Sequence, residues 1–94
     1  MKAYLYDLIG HPKKYMIVIN NDRIKFGASS YQDFTIHKDE ERKQRYILRH
    51  EARENWTKTG IYTPGFWSRW LLWNKPTLEE SAEDIKKRFN ITIE

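Results

Sequence analysis

Apolar and polar residues alternate early in the chain and fall at helical spacing later. YMIVI, Tyr15 to Ile19, is a β-branched, apolar run. After Asn20-Asn21-Asp22, the residues Ile24 and Phe26 alternate with Arg23 and Lys25, as on a half-buried strand. Asn and Asp tolerate the positive φ angles of a tight turn, so the two runs predict a β-hairpin. AYLYDL near the start predicts a further short strand, closed by a turn at Gly10-His11-Pro12, and Gly27 to Ser30 read as a loop.

Helical signals follow. Asp39, Glu40 and Glu41 precede a basic run, the charge order that suits a helix dipole, and nothing interrupts the pattern before Gly60, which predicts a helix from about Asp39 to Trp56. Thr63 is placed as an N-cap, with Pro64 at the first helical position. FWSRWLLW therefore starts a second, short helix that Pro76 closes. Thr77 and Glu80 form a capping box, and Leu78, Ala82, Ile85 and Phe89 recur at amphipathic spacing up to about Asn90. The ITIE tail either pairs as a strand or frays. The expected fold is α+β, a small single domain spanning residues 1–94. An N-terminal β-hairpin or small sheet precedes three helices, and the tryptophan helix packs on both around an aromatic core.

At 94 residues the core is small and must be filled by large side chains, so the first reading of any one aromatic is core. The formal charge of +4 hides an asymmetry. Acidic residues gather in EESAED, Glu79 to Asp84, whereas Arg42 to Arg53 is strongly basic, so one end of the molecule should be positive. With no cysteine, disulfides, thiolate nucleophiles and cysteine-ligated zinc are excluded. No apolar run approaches a membrane span and the start lacks a signal-peptide core, so the expectation is a protein that is not secreted, engages no membrane, and works inside a cell or particle.

Two constellations could carry function. On a helical wheel Arg42, Arg45, Arg49 and Arg53 fall within about 80° of one another, with Tyr46 and Trp56 in the same arc. Such a stripe is a solvated face, a surface for an acidic partner, or a footprint for nucleic-acid phosphates, since guanidinium groups bind phosphate bidentately and stack on bases. Phe66, Trp67, Trp70 and Trp73 lie on one side of the second helix, with Ser68, Arg69 and Leu72 on the other. Helical spacing favours an aromatic core over a docking surface or a row of stacking rings. His11, His37 and His50 show no metal spacing, and no phosphate loop or nucleophile motif is present. His37 and Asp39 could pair as base and orienter, but two loop residues at this place more often cap the following helix. No metal site, catalytic residue or cofactor is expected.

The segments FGASSYQDFTIHKDEERKQRY, RHEARENW and GFWSRWLLWNKP resemble those of short, basic, uncharacterised proteins encoded by large double-stranded DNA viruses of algae and protists. The resemblance runs from about Tyr15 to Arg88, and its motifs are FG…Y-x-D-F-T-x-H-K-D and GFW-x-x-W-L-L-W. It implies a context and no activity. The expected role is a non-enzymatic, virion-associated structural protein, a minor capsid or internal component that docks onto other virion or capsid proteins. The alternative is a basic nucleic-acid-binding protein in genome packaging or regulation. The implied location is the virion or the interior of the infected host cell, cytoplasm or nucleus.

Overall fold

The computed structural model describes all residues from Met1 to Glu94. Strands β1 (Lys2–Asp7), β2 (Lys13–Ile19) and β3 (Asp22–Ala28) form an antiparallel meander, with Tyr4 opposite Val18 and Ile17 opposite Ile24. Asn20 and Asn21 take φ values of 50° and 69°, both left-handed, which is the two-residue turn whose twist matches a hairpin. The tail forms β4 (Thr92–Ile93), which pairs parallel to β1 and completes a sheet of order β3-β2-β1-β4. β3 runs on through Gly27 to Ala28, where the sequence suggested a loop. Strand periodicity decides the faces. Ala3, Ile17, Ile19, Ile24 and Phe26 are buried under the helices, and Tyr4, Tyr6, Arg23 and Lys25 point to solvent.

The helical layer begins with a single turn that the apolar pattern does not announce, α1 (Phe34–His37). Asp33 caps it by accepting from the Thr35 amide at 2.9 Å, and Lys38 ends it at φ 54°. Asp39 then caps α2 (Glu40–His50), accepting from the amides of Glu41 and Arg42. The helix stops at His50, six residues before the Trp56 boundary expected from the sequence. The ladder gives way at Arg53, whose amide donates to the His50 carbonyl three residues back at 3.0 Å while its guanidinium donates to the Arg49 carbonyl at 3.2 Å; beyond it the Asn55 side chain accepts from the Thr57 amide at 3.1 Å and donates to the Thr59 hydroxyl at 2.8 Å. This local turn competes with helical bonding and carries the chain into a short 3₁₀ turn, Lys58–Gly60.

In the tryptophan segment Thr63 accepts from the Phe66 amide at 3.4 Å and starts α3 (Pro64–Trp67). A π-turn, Ser68–Leu72, follows, closed by the Trp73 amide donating to the Ser68 carbonyl at 3.0 Å. The wider turn breaks the phase of an α-helical wheel. Leu72, expected on the outer side with Ser68 and Arg69, is therefore 1 % exposed, and Trp73 swings away from the other rings towards α2. Gly27 makes room for Leu72: it sits at φ 76°, and a Cβ there would lie 2.6 Å from Leu72 Cδ1. Thr77 caps α4 (Leu78–Phe89) through the Glu80 amide at 3.1 Å.

Phe66, Trp67 and Trp70 face the interior. Phe66 meets the Trp67 ring at 4.9 Å and the Phe89 ring at 5.0 Å, both edge to face. The indole N–H of Trp67 donates to the Ile61 carbonyl at 2.7 Å, and that of Trp70 to the Trp56 carbonyl at 3.0 Å. Each large apolar ring is thereby buried without leaving its polar atom unpaired.

Candidate functional site

Between α2, the open end of the β2–β3 hairpin and the first turn of α3 lies a cleft of about 670 Å³. Tyr46, Trp73 and Leu72 contribute its apolar surface. Tyr46 stacks on Trp73 with centroids 4.4 Å apart, and His50 stacks on Tyr46 at 4.3 Å. These rings hold α2 against the body. Lys43 reinforces them by donating to the Asn74 carbonyl at 2.9 Å and lying 4.8 Å from the centre of the Phe34 ring. With Lys43, Tyr46 and His50 turned inward, the helical period brings Arg42, Arg45 and Arg49 to the cleft wall, facing Lys13 and Lys14 of β2.

Five cations therefore line the cleft against two carboxylates, Asp33 and Glu54. Lys14 is committed to Asp33 at 2.5 Å, and Asp33 also receives the Thr35 amide and hydroxyl. Arg45 pairs with Glu41 at 3.0 Å, one turn back on the helix. Lys13, Arg42 and Arg49 have no ion-pair partner, and their side chains make no hydrogen bond. The Glu54 carboxylate approaches the α3 backbone so closely that a Cβ on Gly65 would fall 1.6 Å from its Oε2.

Burial acts on the titratable groups here. It lowers the pKa of His50, assisted by Arg53, and that of His37, assisted by Arg42. It raises that of the Tyr46 hydroxyl, with Glu54 adding to the effect. His37 Nδ1 accepts from the Asp39 amide at 2.9 Å, while its buried Nε2 and the Nδ1 of His50 have no partner. Neither ring is hydrogen-bonded to a hydroxyl or a carboxylate; His37 packs against Phe34 and Trp73, and His50 against Tyr46. No three His, Asp or Glu side chains converge to hold a metal ion. What the arrangement offers chemically is a concave, cationic wall over stacked rings.

The structure divides the residues singled out from the sequence. Arg42, Arg45 and Arg49 share the cleft, but Arg53 lies outside it and donates to the Arg49 carbonyl at 3.2 Å. Tyr46, read as an aromatic edge to the stripe, is 8 % exposed and forms the floor, with Trp56 behind it at 6.3 Å. Of the tryptophan-segment rings only Trp73 reaches the cleft; Phe66, Trp67 and Trp70 do not. Lys13, Lys14 and Asp33 were missed because they are distant in sequence from the stripe, and Glu54, which directly follows Arg53, because its place depends on the chain turning back beyond α2. The doublet Lys13-Lys14 opening an otherwise apolar strand was the one local signal for them.

Residues 3–50 match the family of unknown function DUF5754. The matched segment contains β1 from Ala3 onward, β2, β3, α1 and α2, and with them Lys13, Arg42 and Arg49. No curated protein and no solved structure matches the chain.

Proposed function

We propose that this chain, which belongs to the family of unknown function DUF5754, is a non-enzymatic binding module whose cleft takes the phosphate backbone of a nucleic acid. One observation carries the reading: Lys13, Arg42 and Arg49, three cations without partners, converge on a single cleft. Unpaired cations brought together repel one another, so an arrangement of this kind is stabilised by an anion from outside. Arg42 and Arg49 stand two helical turns apart, about 10 Å along the axis, which suits successive phosphates better than one compact anion. The guanidinium fork supplies paired donors to each phosphate, and the stripe carries no Asn or Gln to read adenine edges, so little base specificity is expected from it. Titration of labelled oligonucleotides at two salt concentrations, with the wild type and the Arg42→Ala/Arg49→Ala pair, tests this. Binding that is absent at low salt, or indifferent to both changes, would remove nucleic acid as the ligand of the cleft.

A second reading follows the viral resemblance: a structural component of a virus particle, its basic cleft filled by the acidic face of a neighbouring virion protein. Leu48, 70 % exposed on α2 one turn from Arg45, would lie at the edge of such an interface. The protein would then reside in the virion or in the infected cell that assembles it. Mass spectrometry of purified particles decides this reading, since a structural component is present there in many copies.

A further inference from the structure

The sheet has one covered face and one open face. On the open face Tyr4 and Tyr6 of β1 are 42 % and 50 % exposed. Neither ring contacts another aromatic ring, and neither hydroxyl has a hydrogen-bond partner in the fold. Strand register places Val18 beside Tyr4 and Met16 beside Tyr6, with Arg23 and Lys25 one strand further out. The result is two rows, each running from a tyrosine through an apolar side chain to a cation. Lys2 at the opposite margin is paired with Glu94 at 3.7 Å, whereas Arg23 and Lys25 have no ion-pair partner.

We propose that this open face is a stacking platform for single-stranded nucleic acid, with bases on Tyr4 and Tyr6 and phosphates at Arg23 and Lys25. The proposal rests on the reading of the protein as a nucleic-acid binder and adds a second contact region with its own selectivity. Tyr4 and Tyr6 are about 6.6 Å apart along β1, and β3 lies about 10 Å to the side. That spacing lets splayed bases meet separate rings while the backbone follows the outer strand. A duplex keeps its bases stacked on one another and cannot use the tyrosines, so the platform distinguishes single strands from duplex. Charge argues against a second copy of this chain on the same face. Face-to-face pairing would bring two sets of unpaired Arg23 and Lys25 into one interface, where a polyanion neutralises them.

The test uses the full chain with a labelled oligothymidylate and a blunt duplex of the same length. Tyr4→Leu/Tyr6→Leu should weaken single-strand binding by roughly tenfold or more and leave duplex binding unchanged, whereas Tyr4→Phe/Tyr6→Phe should retain both. Ring-proton resonances of Tyr4 and Tyr6 in the wild type should move upfield on adding the oligothymidylate, a readout that needs no variant. Unmoved tyrosine resonances, or a folded Leu pair that binds single strands like the wild type, overturn the platform and leave the cleft standing. A wild-type dimer that the Leu pair dissolves also overturns it, in favour of a second copy on this face. Should the wild type bind neither probe, the platform and the cleft reading fail together.

Discussion

The rings of Tyr46 and Trp73 lie face to face, with centroids 4.4 Å apart and planes within 1° of parallel. This stack joins the helix that carries the arginines to the end of the tryptophan segment, so the width of the cleft depends on it. Tyr46→Ala should destabilise the domain by about 3–5 kcal/mol, a large share of the margin of a protein this size. Tyr46→Phe should stay close to wild type, because the hydroxyl makes no hydrogen bond within the fold. Urea unfolding of the two variants measures both, and similar losses in each would mean that the hydroxyl has a hidden partner.

Trp70 tests the assignment of the tryptophans to the core. Its ring packs edge to face on Phe89 at 5.4 Å, with the Arg69 and Arg88 guanidinium carbons 4.4 and 4.7 Å from its centre. Trp70→Ala removes that packing, both cation–π contacts and the bond to the Trp56 carbonyl, and should cost on the order of 3–5 kcal/mol. A stable, monomeric variant with native circular dichroism would contradict the core assignment.

Much of this was legible in the sequence because local chemistry and tertiary packing agree there. Asn20-Asn21 specifies its turn, and Thr63-Pro64 and Thr77-x-x-Glu80 specify their helix starts, since a cap is made by residues a few positions apart. The end of α2 was less legible, because the helical ladder tightens to three-residue bonding at Arg53 while the charge run continues past His50 to Glu54. The phase of Leu72 and Trp73 was illegible, since a π-turn shifts the helical wheel without leaving a compositional trace. For the site, three of the four arginines were marked by helical period alone. The cations facing them from β2, and the conversion of Tyr46 from edge to floor, depend on tertiary folding that no spacing encodes.

Acid should weaken the fold before carboxylates begin to titrate. Burial favours the neutral rings of His37 and His50, which puts their folded pKa values below the unfolded value of 6.5. Arg42 and Lys14 lower His37 further against Asp39 and Asp33, and Arg53 and Arg49 lower His50 against Glu54. The unfolded chain thus binds more protons than the folded one below about pH 6.5, so this stabilisation is complete above that pH and is lost as pH falls towards the folded values. Melting temperature should drop between about pH 7 and pH 5, and His50→Gln should flatten the drop. A second decline belongs to Asp84. Burial raises its pKa, but hydrogen bonds from Asn74 and Arg88 outweigh that and hold it below 3.8, so its contribution disappears only as pH falls through that lower range.

The central claim, that the cleft binds a phosphate backbone, is tested most directly by the salt dependence of oligonucleotide affinity in the wild type and the Arg42→Ala/Arg49→Ala pair. Arg45 is the less informative choice because Glu41 already neutralises it. Each phosphate contact contributes about 0.7 to the log–log slope on single strands and about 0.9 on duplex, through release of condensed counterions. The double variant should therefore retain the fold, bind more weakly to every sequence alike, and show a slope shallower by on the order of 1.4 on single strands. A wild-type affinity that does not change with salt, or a double variant with the wild-type slope, would contradict the account.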